Sequence, residues 1–511
     1  MSHLLHHLLQ RGAAAWPDKE AVVDGPRRCS HAQLLAAAGT GAAALVEAGV
    51  TRRDRVAVWL DKSWEEAASI FGISLADAVI VPINPLLRPL QVGHILDDCG
   101  VRVLITTHAR WEQLARARPP ALVPLFTDGE APLYARARPF SPPARCIGED
   151  LAAILYTSGS TGRAKGVMLS HRNLLAGSRI VSGYLGIRHD ERILSVLPFS
   201  FDYGLNQLIT AVEHGATVVL LTVRFGDDIV RALAAERCTA LAGVPTVWTL
   251  LMRGAPSLPK TPLPHLRYLT NSGGAVPSET VKQLRAALPH VQLVLMYGLT
   301  EAFRSTFLPP AELERRPTSM GKAIPETEVF VYDPEAGRRC APGEAGILLH
   351  RGPTVSLGYW NRPEETAHAL RRHPLYGEHE GADLVCWSGD VVKADEDGFL
   401  YFIGRHDAMI KSSGYRISPT EVEEVLMATR TLAEAAVIGL PDPAAGERVH
   451  AVVVAAPGIA PDRDSVLARA AEELPAYMVP RDLEYVAELP RSPNGKVDYK
   501  RLRAERTTAA P

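Results

Sequence analysis

The chain has 511 residues, too many for a single hydrophobic core and enough for about two to four domains. Its 55 Lys and Arg against 57 Asp and Glu leave a formal net charge of −2, so no global field favours nucleic acid or an anionic membrane surface. Hydrophobic residues at 47% and charged residues at 22% match folded globular chains and exclude a disordered or fibrous protein.

Residues 1–17 carry leucines at helical spacing between histidines, without the unbroken apolar run and cleavage site of a signal peptide, so no export is expected. His3, His6 and His7 have no fourth ligand or carboxylate beside them. An exposed amphipathic helix is therefore the reading, and no zinc. From about residue 30, helical stretches rich in Ala and Leu alternate with β-branched runs at 55–60, 78–83, 101–106, 152–157, 193–197, 216–222 and 291–296. These runs are apolar almost throughout, as strands covered by helices on both faces must be, and the alternation predicts an α/β fold with parallel sheet. None approaches the ~18–20 apolar residues of a membrane-spanning helix. The Pro/Ala-rich stretch 131–145 reads as a loop within a domain. Between 327 and 392 the pattern changes to short runs separated by Gly and Pro, such as 346–350 and 399–403, which predicts a small antiparallel β unit. The segment 404–414 then separates the body of the chain from a last unit with its own helix and strand signals, and the tail after Arg503 has nothing to bury. The six cysteines, Cys29, Cys99, Cys146, Cys238, Cys340 and Cys386, are widely spaced. They signal neither a disulfide framework nor a thiolate metal site, and a reducing, cytoplasmic compartment is expected.

The strongest local signal is Tyr156-Thr-Ser-Gly-Ser-Thr-Gly-Arg-Ala-Lys-Gly166, directly after an apolar strand and ahead of a predicted helix near His171. Gly159 and Gly162 let backbone N–H groups turn toward an anion. Thr157, Ser158, Ser160 and Thr161 add hydroxyl donors, and Lys165 a point charge, which together suit a polyphosphate. The Gly-Lys-Ser/Thr ending of a Walker A loop is missing. A solvated Gly/Ser turn is the plain alternative.

Four further segments stand in order behind this loop: Met296-Tyr-Gly-Leu-Thr-Glu-Ala302, Trp387-Ser-Gly-Asp390, Gly404-Arg-His-Asp407 and Pro493-Asn-Gly-Lys496. Together with the loop they resemble, in sequence and order, the motifs of the AMP-forming adenylating superfamily of acyl- and aryl-CoA synthetases, luciferases and peptide-synthetase adenylation domains. The resemblance covers essentially the whole chain. It implies a large N-terminal domain over 1–404, with a β-rich part at about 327–404, and a small mobile α+β C-terminal domain over 405–511 that pivots at Asp407.

The resemblance also implies roles. Tyr297 is similar to the family's adenine platform, with Gly298 leaving the nucleotide room, and Gly273, Gly274 and Ala275 of Asn271-Ser-Gly-Gly-Ala275 are similar to the wall beside adenine and the acyl group. Thr300 would donate to the α-phosphate. Glu301 resembles the Mg²⁺ ligand, as one or two carboxylates suffice for a hard cation bridging phosphates. Asp390 and Arg405 resemble the residues that hold the ribose hydroxyls. Lys496 resembles the lysine that swings in to neutralise the substrate carboxylate and the α-phosphate. Lys411 and Gly414 of Lys411-Ser-Ser-Gly-Tyr-Arg416 resemble the loop lining the channel for a pantetheine thiol, reached after rotation about Asp407.

The implied reaction takes a small-molecule carboxylic acid, ATP and Mg²⁺ to an acyl-adenylate, and then passes the acyl group to CoA. The rival reading is a stand-alone enzyme loading an amino or aryl acid onto the pantetheine of an acyl or peptidyl carrier protein. The segment Leu197-Pro-Phe-Ser-Phe-Asp-Tyr-Gly-Leu-Asn206 keeps both open. Ser200-Phe201 replaces the aromatic–His pair of many acyl-CoA synthetases, and Phe201-Asp202 resembles the amino-acid adenylation domains, where this aspartate holds the substrate ammonium. Asp202 could equally be a structural carboxylate at a helix N-terminus. Together with Tyr297-Gly-Leu-Thr-Glu-Ala-Phe-Arg-Ser305 and Val81-Pro-Ile-Asn-Pro-Leu86, the same segment is similar to a bacterial group of acyl-CoA ligases associated with exosortase systems. The sequence carries no signal for nucleic-acid partners or for an oligomeric state.

Overall fold

The computed structural model of the chain describes residues 3–140, 145–157, 164–274, 276, 278–376, 384–405, 410–417, 419–429, 431–456, 458, 460, 462–490, 497 and 499–507. Among these residues, two sheets dominate the N-terminal part. The nine-stranded one runs, edge to edge, Lys322–Ala323, Ala302–Leu308, Gln292–Leu299, Tyr268–Asn271, Ala240–Gly243, Arg192–Ser195, Thr217–Leu220, Glu20–Asp24 and Arg27–Ser30. Its interior pairs are parallel and its flanking pairs antiparallel. The six-stranded one runs Val123–Phe126, Val103–Thr106, Arg55–Val58, Val79–Pro82, Leu151–Thr157 and Lys165–Ser170. Only its last pair is antiparallel.

The apolar runs make these strands because both faces are buried. Val56 and Val58 point into a core shared by the two sheets, while Ala57 between them points into a separate outer core; Ile193 and Leu194, and Val22 and Val23, divide in the same way. Helices Leu5–Ala15, His31–Glu47, Trp64–Leu75 and Asp202–His214 fill the shared core. The small-residue run of His31–Glu47 permits close helix contact: a Cβ at Gly72 would stand 2.8 Å from the carbonyl oxygen of Ala38.

An antiparallel sheet follows, built from Glu328–Asp333, Arg338–Arg339, Ala345–Arg351, Leu370–Arg372, Leu384–Ala394 and Leu400–Arg405, in agreement with the predicted β unit. The C-terminal unit is α+β. Its sheet orders Tyr415–Ile417, Ile410–Ser412, Gly446–Ala455 and Leu432–Asp442, with Asp482–Tyr485 also beside Gly446–Ala455, and helices Pro419–Ala428, Arg463–Glu473 and Tyr499–Thr507 accompany it. The whole is mixed α/β, with a large N-terminal and a small C-terminal domain. No helix among the described residues is long and apolar enough to cross a membrane.

Two expectations change, and a third holds with an addition. The N-terminal helix is not exposed: Leu5, Leu8 and Leu9 are buried, and so is His6, whose Nδ1 lies 3.1 Å from Ser74 Oγ. Burial drives the His6 pKa down to about 3, with the neighbouring His7 adding to the effect. The described residues of the stretch, 131–140 and 145, are without helix or strand, as read from the sequence, and they are anchored: Tyr134 reaches Ser69 Oγ at 2.7 Å, and Leu133 and Phe140 pack on the shared core. Finally, the polyphosphate-type loop does not lead straight into a helix. Lys165–Ser170 is a strand that returns antiparallel to Leu151–Thr157 before helix His171–Leu185 begins at its Ser170 cap. The β-branched and long apolar side chains of Val167, Met168 and Leu169 suit a strand buried on this sheet.

Candidate active site

The central motif is a tight hairpin. Leu299 pairs with Ala302, which leaves Thr300 and Glu301 as the two turn residues between Gln292–Leu299 and Ala302–Leu308. Both line a cavity of about 560 Å³, a size suited to a small-molecule site. The register slips between Tyr297 and Leu299, where Gly298 sits. A Cβ on Gly298 would stand 2.9 Å from the backbone N and Cα of Arg304. Glycine is thus required there by the hairpin's own backbone, whatever a nucleotide needs.

Glu301 Oε1 accepts the hydroxyl hydrogen of Tyr359 at 2.7 Å, and the Glu301 carbonyl accepts the Ser356 N–H at 2.8 Å. Lys165 opens its strand opposite Thr157, and both residues line the cavity. Its Nζ lies 3.7 Å from the Glu365 carboxylate and 5.7 Å from the Tyr359 ring centroid. Tyr359 therefore touches the carboxylate and the cation that the sequence singled out separately.

Tyr297 lines the cavity and donates its hydroxyl to Asp390 Oδ2. Its ring stacks on His350 at 6.0 Å between centroids and 22° between planes. His350 is wholly buried, and burial lowers its pKa to about 4, so the ring under Tyr297 is neutral near pH 7. Asp390 is buried too and pairs across the strands with Arg405. It does not line the cavity but is joined to it through Tyr297.

Gly273 and Gly274 line the cavity beside Phe201 and Asp202. Trp248 Nε1 donates to Asn271 Oδ1 at 2.8 Å, and Asn271 Nδ2 donates to the Gly274 carbonyl at 2.9 Å, which fixes this loop. Gly273 has φ +80°, and a Cβ there would meet Phe201 at 3.3 Å. Asp202 is the first residue of its helix, where the helix dipole favours a carboxylate. Its Oδ2 lies 3.8 Å from Nη1 of Arg304, and both side chains are buried.

The C-terminal domain supplies the remaining wall. Lys411, Gly414, Tyr415, Tyr477 and Met478 line the same cavity. The two tyrosine rings stack at 3.7 Å, and Lys411 Nζ sits 3.5 Å from the Phe402 ring centroid. Gly414 has φ +81°, and a Cβ on it would stand 2.9 Å from Val244 of the large domain.

Of the residues singled out from sequence, Thr157, Lys165, Phe201, Asp202, Gly273, Gly274, Tyr297, Gly298, Thr300, Glu301, Lys411 and Gly414 converge on one cavity. Ser158, Gly159, Ser160, Thr161, Gly162, Ala275, Asp407 and Lys496 lie outside the described residues. The sequence reading passed over Tyr359, Glu365 and Arg304. Tyr359 and Glu365 flank a Pro363 helix start that carried only a helix signal, and Arg304 stood inside a quoted motif without a role.

The AMP-binding enzyme family matches residues 9–360, and the AMP-binding enzyme C-terminal domain matches residues 421–496. A long-chain-fatty-acid–CoA ligase of Bacillus subtilis is 30% identical over 542 residues, covering 98% of this chain and 94% of the relative. A feruloyl-CoA synthase of an Amycolatopsis species is 34% identical over 491 residues, covering 95% and 96%. The structure of the amide bond synthetase McbA from Marinactinospora thermotolerans superposes with a TM-score of 0.89 at 27% identity, covering 98% of this chain and 99% of that one. A two-domain α/β fold with a nucleotide-type cavity between its domains defines an adenylating enzyme, and the chain belongs to the AMP-binding enzyme family. Within it, this is an AMP-forming acid–thiol ligase of the acyl-CoA synthetase type.

Proposed function

We propose that the enzyme joins a small carboxylic acid to ATP in this cavity and passes the acyl group to CoA, with the residues above in specific roles. The observation that carries the reading is the shared cavity: Thr157, Lys165, Thr300 and Glu301 from the large domain face the same space as Lys411, Gly414 and Tyr415 from the small one. A nucleotide-handling wall and a thiol-handling wall in one cavity suit two successive half-reactions.

In the first, a carboxylate oxygen attacks the α-phosphorus and the bond to the β-phosphate oxygen breaks, releasing pyrophosphate. The acid is already ionised near pH 7, so no general base is needed. The protein's task is to align two anions and offset their repulsion. Lys165, beside Glu365 and the Tyr359 ring, and Thr300 supply positive charge and a donor, to which the glycine- and hydroxyl-rich sequence 158–162 would add further donors. Glu301, a hard carboxylate in the cavity wall, would hold Mg²⁺, which when bound would offset phosphate charge. Tyr297, set by Asp390 and His350, offers its ring to adenine, and Arg405 stands across from Asp390 for the ribose.

In the second half-reaction the thiolate attacks the acyl carbonyl and AMP leaves. The domain arrangement described here suits that step, because the Lys411–Gly414 hairpin borders the cavity. Val497 packs on the face of the C-terminal sheet that carries Ala436 and Ile438, opposite the face that holds Tyr477 and Met478. This supports a rotation that brings the adjacent Lys496 in for adenylation, about a join within 406–409 that includes Asp407. An amino-acid substrate is disfavoured, since Asp202 already has a cationic partner in Arg304. The six cysteines are all free thiols, which suits a cytoplasmic setting.

ATP–pyrophosphate exchange across fatty, aryl and amino acids, followed by thioester assays with CoA or a pantetheinylated carrier protein, tests the reading. Exchange with an unaminated acid and a CoA product is the expected result. Exchange with amino acids alone, abolished in Asp202→Ala, would replace it with carrier loading.

A further inference from the structure

Arg304 is a buried cation in the cavity wall. It lies in strand Ala302–Leu308 yet has φ +68°, a left-handed conformation that is unfavourable for a non-glycine residue and is held only by its surroundings. Those surroundings are the side-chain-free backbone of Gly298 against its own backbone and the Thr354 hydroxyl on its carbonyl at 3.2 Å. Its side chain lines the cavity with 1% of its surface exposed, and the guanidinium lies 4.4 Å over the Tyr203 ring. Nη1 meets Ser272 Oγ at 3.4 Å and Asp202 at 3.8 Å. Among the described residues, Nε and Nη2 are buried with no hydrogen-bond partner, and the same holds for the hydroxyl of Ser200, another residue of the cavity wall. A buried guanidinium with unmade N–H bonds is destabilising unless something else completes it. A passage for an unsubstituted alkyl chain would not place such a group in its wall. Tyr203, under the guanidinium, packs in an apolar cluster with Met296, Tyr184 and Phe307, the last two stacked at 4.3 Å, and this cluster bounds the side of the cavity where Arg304 stands, which suits a short acyl group.

We propose that Arg304 reads an oxygen acceptor on the acyl part of the substrate, so that the preferred acid is short and carries a keto or hydroxyl oxygen. The inference rests on the adenylating reading and narrows its substrate class. The acceptor is uncharged because Asp202 already balances the guanidinium: a second carboxylate or an ammonium would bring an uncompensated charge into a buried site. The Ser200 hydroxyl completes the subsite as a second donor. Arg304 is accordingly a specificity residue that touches the substrate away from the reacting carbonyl.

The test uses sulfamoyl-linked acyl-adenosines, stable mimics of the adenylate, with hexanoyl and 3-, 4- and 5-oxohexanoyl groups, titrated calorimetrically into the full chain. At least one oxo compound is expected to bind about tenfold or more tightly than hexanoyl, because a site with buried donors rejects the analogue that lacks their acceptor. This preference should collapse in Arg304→Met and shrink in Ser200→Ala. Equal binding of all four compounds by the native protein would overturn the proposal without any variant, as would a preference that survives in Arg304→Met. Failure of every compound to bind a chain that still binds ATP in the same calorimeter would also overturn the proposal and leave the adenylating reading standing, whereas failure to bind ATP as well would count against that reading itself.

Discussion

Tyr359 relates two groups that lie far apart in the chain, since its hydroxyl binds the Glu301 carboxylate while its ring faces the Lys165 ammonium. A carboxylate at a two-residue turn is otherwise held only by its backbone. Removing the hydroxyl should therefore loosen Glu301 without changing its charge. In Tyr359→Phe the Mg²⁺ concentration giving half-maximal pyrophosphate exchange is expected to rise about tenfold or more, with a smaller fall in kcat, since a hydrogen bond to a charged group is worth ~1.5–3 kcal/mol. An unchanged Mg²⁺ requirement would show that Tyr359 only packs. Gly298 makes a related point at the same scale. Its missing side chain serves the approach of Arg304's backbone, so the glycine of this motif sets the position of another residue of the cavity wall.

Among the elements, the N-terminal helix Leu5–Ala15 depends most visibly on protonation. The Leu5 N–H donates to His171 Nδ1 at 3.1 Å, and His6 N–H donates to Ser74 Oγ at 3.3 Å. Burial lowers the His171 pKa to about 4 and the His6 pKa to about 3, from an ordinary value of 6.5. Both rings are neutral in the fold, whereas the unfolded chain binds protons below about pH 6.5. Their contribution is therefore complete above pH 6.5 and is lost as the pH falls toward 4, on the order of 3 kcal/mol for His171 by that point. Tm measured from pH 7 to pH 4.5 should fall less steeply in His171→Gln than in the native protein, and the amides of Leu5–Ala15 should be the first to exchange. Parallel Tm curves would exclude His171 as a source of the acid sensitivity. The hairpin holding Thr300 and Glu301 shows the complementary case, an element whose turn is fixed by strand register, with an irregularity at Gly298, and which places both residues in the cavity wall.

For the whole molecule, the decisive contact is between domains. Gly414 meets Val244 with no room for a Cβ and at a positive φ, and Thr246 Oγ1 donates to the Ser413 carbonyl at 3.4 Å. Gly414→Val should block this docking and leave the other arrangement free. Thioester formation is expected to fall at least about a hundredfold while ATP–pyrophosphate exchange stays within about threefold, since misplacement of a reacting group by an ångström costs about that much. Equal loss of both activities would remove the two-arrangement scheme. Amino-acid sequence alone determined the class of fold, because strands buried on both faces must be apolar throughout and the helices between them must alternate with them. It also singled out Thr157, Lys165, Tyr297 and Glu301, which the fold brings to one cavity, because glycine-rich turns with hydroxyl, lysine and carboxylate side chains stand out against ordinary solvated loops. Tertiary structure decided what no local pattern encodes. Burial of His6 and His171 depends on packing between distant helices, and the strand at Lys165–Ser170 depends on a neighbour to pair with. The roles of Tyr359 and Arg304 arise only where the chain brings Glu301, Lys165 and Asp202 within reach, because a hydrogen bond or an unmet buried charge is a property of a place in the fold rather than of a residue type.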